Sequence, residues 1–396
     1  MDKFIIEGGK SLYGSVAIQS AKNAVLPLLA ASILTDEQVK IHKCPRIRDV
    51  MNMVQILNEL GCKTTYDGED LIIDSADAAC HEIPSALAKE LRSSVFMLGS
   101  VISRFSRARI AYPGGCDIGL RPIDLHLKGL KRLGVQIDEE GGYINCSCDR
   151  IVGAEVLLDC PSVGATENII LAAVKGKGTT IVKNAAREPE ISDLQNFLNA
   201  MGAKVYGCGT PTVVVEGVSR LHGAEYTPIP DRIEAGTFLI AAAMCGGEIE
   251  VCNADAENIA SLLHKLREIS CKVWAKDDKI YIRSKDKPLS PNLVETQPYP
   301  GFPTDLQAQM TALSCVAEGS TLIVENLFET RFKHVNNLHG ADVVASDLRG
   351  GAALTLAGLA AEGNTTVTDL SYIDRGYFGF EYKLRDLGAK IKRIHI

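Results

Sequence analysis

The chain has 396 residues, a formal net charge of −7, 46% hydrophobic residues and 23% charged ones. That length allows two or three domains with sizeable cores, and the composition is ordinary for a soluble globular protein. The acidic balance argues against a general nucleic-acid binder, and apolar runs such as 25–34 are too short to cross a bilayer.

A helix rich in small residues is predicted over 24–34, opened by Ser20-Ala21-Lys22-Asn23. A second helix should end at Leu57-Asn58-Glu59-Leu60-Gly61, where glycine suits the left-handed residue that follows a helix. The pair then recurs. A helix over 93–102 is followed by an end at Leu130-Lys131-Arg132-Leu133-Gly134, and one over 165–173 by Leu198-Asn199-Ala200-Met201-Gly202. A helix over 235–244 precedes Leu266-Arg267-Glu268-Ile269-Ser270. Helices over 308–317 and 352–361 come before the last such end, Leu384-Arg385-Asp386-Leu387-Gly388. After each helix end the alternation suits a strand hairpin, as at 204–206 with 212–215.

Six small-residue helices imply six units of helix, strand, helix and strand pair. Only five helix ends are present, and the stretch from 270 to 388 is about 20 residues too short for two units. Leu338-His339-Gly340-Ala341 echoes Leu221-His222-Gly223-Ala224, which follows the third hairpin. The fifth unit is therefore expected to lack a helix end and its strand pair, leaving a bare sheet edge. The fold class expected is α/β: two pseudo-symmetric domains of three units each, with the helices inside. The predicted domains are 1–20 plus 231–396, and 21–230, with Pro228-Ile229-Pro230 at the crossover.

One loop stands apart. Pro113-Gly114-Gly115-Cys116-Asp117-Ile118-Gly119-Leu120-Arg121-Pro122 carries a thiol among glycines, with an arginine five residues on. Glycine allows close backbone approach, and a nearby cation favours the reactive thiolate. The other cysteines lie scattered, with no Cys-x-x-Cys, and are expected to be small buried residues in a reducing cytoplasm. Met1 to Glu7 shows no signal-peptide pattern. Gly9-Lys10-Ser11 has Phe4 where a P-loop needs its first glycine, and no Gly-x-Gly-x-x-Gly or His-Glu-x-x-His occurs. Lys22, Arg92, Arg121, Arg331, Arg349 and Arg375 lie near unit starts or in loops. Helix N-termini attract anions, so this pattern favours a small anionic ligand. Arg46 and Arg48 read as solvated charges, Trp274 as strand packing, and His126 as structural.

At these residues the chain resembles the enolpyruvyl transferase family along essentially its whole length. The carriers include Ala21-Lys22-Asn23-Ala24, Pro113-Gly114-Gly115-Cys116, Arg121-Pro122-Ile123-Asp124-Leu125-His126 and Ser162-Val163-Gly164-Ala165-Thr166. Pro189-Glu190 after Arg187, Phe302-Pro303-Thr304-Asp305-Leu306-Gln307, Arg331-Phe332, Asp347-Leu348-Arg349 and Asp374-Arg375-Gly376-Tyr377 complete them. The resemblance implies two inside-out α/β domains around a cleft that closes over substrate. It implies transfer of the enolpyruvyl group of phosphoenolpyruvate to the 3′-hydroxyl of UDP-N-acetylglucosamine, the first committed step of peptidoglycan synthesis. No metal or organic cofactor is implied, and the partners are those two substrates.

By that resemblance Cys116 is the acid and Asp305 the base, or the group that positions the sugar hydroxyl. Lys22, Arg121 and Arg375 would hold the phosphate, and Arg92, Arg331 and Arg349 the carboxylate or the nucleotide's charge. Asn23 should bind the sugar. Pro122, Ile123, Asp124 and Leu125, with Ser162, Val163 and Gly164, match uridine diphosphate contacts, and Leu327 matches a further one. Two departures are Ser20, where the family usually has glycine, and Cys160, where some members have lysine. Two alternatives remain: a shikimate-pathway transferase, and an impaired paralogue that only binds the nucleotide sugar.

Overall fold

The computed structural model describes residues 2–112, 123–284, 288–328, 331–332, 334 and 342–395. They fall into two compact units. One holds the described residues from 20 to 229, the other residues 2–19 and those from 230 onward.

In the first unit three helices fill the centre: Lys22–Ser32, Phe96–Phe105 and Val163–Ala173. Each is apolar nearly all round, the pattern of a helix with no solvent face. They pack on one another and share a single core with the sheets around them. The closest approach is at Gly99, where an added Cβ would fall 2.3 Å from the carbonyl oxygen of Asn168. The Gly99 N–H donates to Asn168 Oδ1 at 2.6 Å.

Three four-stranded sheets surround these helices, and all have the same order. In the second unit of the repeat, Glu82–Ile83 runs parallel to Arg107–Ala111, which pairs antiparallel with Tyr143–Ser147, and that with Gln136–Glu140. The third sheet repeats this with Glu155–Leu157, Thr179–Lys183, Thr212–Glu216 and Lys204–Tyr206. In the first sheet the leading strand is Glu225–Tyr226, which comes from the far end of the unit to lie beside Val39–Ile41.

The other unit has its own core around three helices, Arg232–Cys245, Gln307–Val316 and Leu348–Ala360. Two of its sheets have four strands and are completed by the start of the chain. Leu12–Ala17 leads the sheet of Gly247–Cys252, and Lys3–Glu7 sits between Asn364–Thr368 and Lys390–Ile394. The fifth sheet has only two strands among the described residues, Leu293–Glu295 parallel to Leu322–Val324. The hairpin that follows in the other units has no counterpart there among the described residues. Its loss shows in burial: Ile323 is half-buried and Leu322 is 63% exposed, whereas Ile110 and Val182 in equivalent strands are fully buried. The proposed join at 338–341 lies outside the described residues.

The helix ends follow the sequence closely. Gly61, Gly134, Gly202 and Gly388 all have positive φ, between +88° and +97°. Ser270 takes the same place in the fourth copy at φ +68°, a conformation that costs a side-chain-bearing residue more than glycine. The predicted 93–102 helix starts as a 3-10 turn, Arg92–Val95, and continues to Phe105. All cysteines among the described residues are free thiols. No helix among them is long and apolar enough to cross a membrane.

Candidate active site

The predicted site residues divide between the two units, and each half has its own geometry. Cys116, Arg121 and Pro122 lie outside the described residues.

In the first unit Lys22 leads the central helix, and its Nζ lies 3.2 Å from Asp49 Oδ2. Asp49 is buried, on the helix Arg48–Glu59, so the pair is shielded from water and each charge depends on the other. Asn23 follows, half-buried. Arg48, one residue before Asp49, is solvated and meets Glu90 at 3.4 Å. Arg46 lies over the Tyr66 ring and bonds the Gly68 carbonyl from the surface.

A second group gathers around His126. Asn168 donates from Nδ2 both to Val95 O and to His126 Nδ1, each at 3.1 Å. Its Oδ1 is taken by the Gly99 N–H, which fixes the amide's orientation. His126 Nδ1 must therefore accept, and the ring carries its proton on Nε2. Burial, aided by the charge of Arg92, pushes His126 down to about 3, so the ring is neutral. Gly164 is close enough that an added Cβ would fall 3.0 Å from both the His126 and Phe96 rings. Ser162 caps the helix beginning at Val163, accepting from Ala165 N at 3.4 Å. Ile123 is buried, Asp124 exposed and Leu125 half-buried at the start of the helix that carries His126. Arg92, the helix start at 123–125 and Gly164 thus all lie near His126. An open hollow beside them is lined by Ile123, Asp124, Lys128, Lys131 and Arg132, among others.

In the other unit Asp305 sits in a 3-10 turn, Thr304–Leu306, at the head of a buried helix. Its Oδ1 accepts from Arg331 Nη2 at 2.6 Å and its Oδ2 from Arg349 Nη2 at 3.3 Å. Both arginine side chains are almost wholly buried, while the Asp305 side chain is 26% exposed. Burial works against the charge of Arg349, but neighbouring Tyr377 and Asp305 outweigh it and push the guanidinium up. Tyr377 is itself pushed up by burial, and the carboxylates acting on Arg349 are those of Asp305 and Asp231. The turn is pinned by Glu325, whose Oε2 accepts from Thr304 Oγ1 at 2.8 Å and whose Oε1 accepts from Leu327 N at 2.8 Å. Leu327 is thus held by its backbone, with its side chain exposed. Asp347 caps the helix that carries Arg349, accepting from Arg349 N and Gly350 N at 2.9 Å each. Arg375 lies half-buried in the 3-10 turn Ile373–Arg375.

Sequence reasoning missed Asp49, Glu325 and the buried partners of Tyr377. Asp49 and Glu325 look like ordinary surface carboxylates, and only tertiary packing buries one and turns the other inward. Tyr377 stands within a motif that the resemblance singles out, yet nothing local distinguishes it from a core aromatic.

The chain is similar over its full length to two curated relatives, both called UDP-N-acetylglucosamine 1-carboxyvinyltransferase 2. The protein of Caldanaerobacter subterraneus subsp. tengcongensis is 50% identical and that of Carboxydothermus hydrogenoformans 46%, with 100% of each chain covered. The first alignment spans 416 positions against 396 residues here. Among solved structures, the enolpyruvyl transferase NikO from Streptomyces tendae has a TM-score of 0.89 and 25% identity, over 99% of this chain and 98% of that one. An EPSP synthase from Acinetobacter baumannii, at 15% identity, TM-score 0.77 and full coverage of both chains, shares the fold. The family model described as EPSP synthase (3-phosphoshikimate 1-carboxyvinyltransferase) matches residues 6–341 and 336–384, two stretches that meet where the fifth unit is short. With that model matching most of its length and two full-length relatives near half identity, the chain belongs to the enolpyruvyl transferases of the EPSP synthase family.

Proposed function

We propose that this protein transfers the enolpyruvyl group of phosphoenolpyruvate to the 3′-hydroxyl of UDP-N-acetylglucosamine and releases phosphate, the first committed step of peptidoglycan synthesis. The observation that carries this reading is the 50% identity, over the whole of both chains, to a curated transferase of that name. The geometry supports it. A hydroxyl adding across an enol ether must lose a proton while the methylene carbon gains one. Asp305, partly exposed and paired with two buried arginines, is assigned to take or direct the hydroxyl proton. Cys116 is assigned the acid that protonates the methylene carbon; the thiolate then takes a proton back from the new methyl group as phosphate leaves and the double bond returns.

Lys22, Arg121 and Arg375 are assigned to the phosphate, and Arg92, Arg331 and Arg349 to the carboxylate or nucleotide charge, where fixed cations in a dry cleft act strongly. Asn23, 122–125, 162–164 and Leu327 are assigned to the nucleotide sugar, and the protein to the cytoplasm. The test is phosphate release from phosphoenolpyruvate with UDP-N-acetylglucosamine. Turnover with the nucleotide sugar and none with shikimate 3-phosphate is the expected result; the reverse would transfer the chain to the shikimate-pathway branch. The fifth sheet, two-stranded among the described residues, favours one second reading, an impaired paralogue, for which calorimetry would show binding of the sugar nucleotide without turnover.

A further inference from the structure

Arg349 reaches Asp305 through Nη2 alone, and its Nη1 is buried with no hydrogen-bond partner. Its guanidinium carbon lies 5.3 Å from the centroid of the Tyr377 ring. A buried guanidinium with one free arm can rotate about its stem unless packing fixes its plane, and the Tyr377 ring is the surface it lies against.

Tyr377 is in turn tightly fixed. Its hydroxyl lies 2.9 Å from Thr237 Oγ1 and 3.3 Å from Gln309 Nε2. Thr237 commits its own proton to Ile233 O, at 2.8 Å. Thr237 Oγ1 must therefore accept, so the phenol donates to it and its lone pairs are left for Gln309. Tyr377 also packs on Phe380, with ring centroids 4.8 Å apart. The segment before it is held against the Arg349 helix at Gly376, where an added Cβ would fall 2.9 Å from the Leu348 side chain. A directed chain of contacts thus runs from the backbone of the Arg232–Cys245 helix through Thr237, Tyr377 and Arg349 to the Asp305 carboxylate.

We propose that Tyr377 is a positioning residue, which through Arg349 sets the orientation of the Asp305 carboxylate. This rests on the reading of Asp305 as a group that acts on the sugar hydroxyl. The side-chain hydrogen bonds of Thr237 and Gln309 run to Ile233, to Tyr377 and to each other, and Gln309 also lies on the helix that Asp305 heads. An interaction needed only as the hydroxyl attacks should lower kcat and kcat/KM together and leave KM alone.

The experiment is a double-mutant cycle with Tyr377→Phe and Asp305→Asn, read both by phosphate release and by thermal unfolding. Tyr377→Phe keeps the ring but releases its two hydroxyl anchors. It is expected to lower kcat about tenfold with both KM values within twofold, and that cost should vanish in the Asp305→Asn background. Thermal midpoints of the two variants should be non-additive by about 2 °C or more. Thr237→Val, which removes the acceptor at the far end, should reproduce the kcat loss in smaller measure. An unchanged kcat, or an equal cost with and without the Asp305 carboxylate, would show that the tyrosine serves folding alone and would overturn the proposal. If the unmutated protein has no transferase activity, the reading of function fails, whereas the thermal cycle still tests the relay.

Discussion

Asp305 and Arg331 meet at 2.6 Å with the aspartate side chain partly in water and the arginine side chain buried. A carboxylate held this way cannot swing, and removing its charge leaves two buried cations, Arg331 and Arg349, without their shared counter-ion. Asp305→Asn is expected to lower phosphate release by at least about a hundredfold. It should also destabilise the fold by about 2–3 kcal/mol, somewhat less than for a wholly buried pair because the carboxylate is partly solvated. Steady-state assay and urea unfolding of the variant check both.

Cys116→Ser keeps the size of the side chain but replaces an acid of thiol strength with a hydroxyl that holds its proton far more tightly. Turnover should fall about a hundredfold or more, while sugar-nucleotide binding by calorimetry stays within a few fold. An unimpaired serine variant would remove the thiol from the proposed chemistry.

His126 should give stability a particular pH dependence. Its proton affinity is depressed on folding, to about 3. Below the ordinary histidine value near 6.5 the unfolded chain binds a proton that the folded chain refuses, so stability falls as pH drops from there towards 3. The slope from this one group approaches about 1.4 kcal/mol per pH unit. Asp193, pushed up to about 6 chiefly by burial, works the other way: its contribution is lost as pH rises through that value. Urea midpoints between pH 7 and 4 should therefore fall less steeply for His126→Asn than for the unmutated protein. Equal slopes would show that the imidazole is not kept neutral.

Ser270 is the single non-glycine at the five helix ends that carry the repeat, and it is exposed with φ +68°. Ser270→Gly should stabilise the unit by about 0.5–1 kcal/mol, since glycine enters this conformation without a Cβ penalty. Gly202→Ala at the equivalent place should cost a similar amount, and thermal unfolding of the two variants checks the opposite signs.

Much of the fold was legible in the sequence because the repeat declares itself twice. The leucine-and-glycine helix ends give each unit's boundary, and the alanine-rich helices give its buried centre. The short fifth unit could be found by counting, since a missing hairpin changes the spacing before it changes anything else. What could not be read was which strand completes which sheet. Glu225–Tyr226 joins Val39–Ile41 across most of a unit, and no local pattern in a two-residue strand announces that. The site was legible as a set of charges but not as pairs. Asp49 beneath Lys22, and Arg331 and Arg349 beneath Asp305, exist only because separate elements bury them together.

The strand Lys3–Glu7 lies between two strands from the opposite end of the sequence, with Lys3 facing Ile394 across one of those pairings. In effect one sheet ties the lowest-numbered strand to the highest-numbered one. A linker of a few residues could unite those two strands, and new ends could be cut at the exposed turn around Gly68, with every sheet left intact. Such a circular permutant should fold and work, and clipping the first strand should instead loosen the sheet that the last one completes.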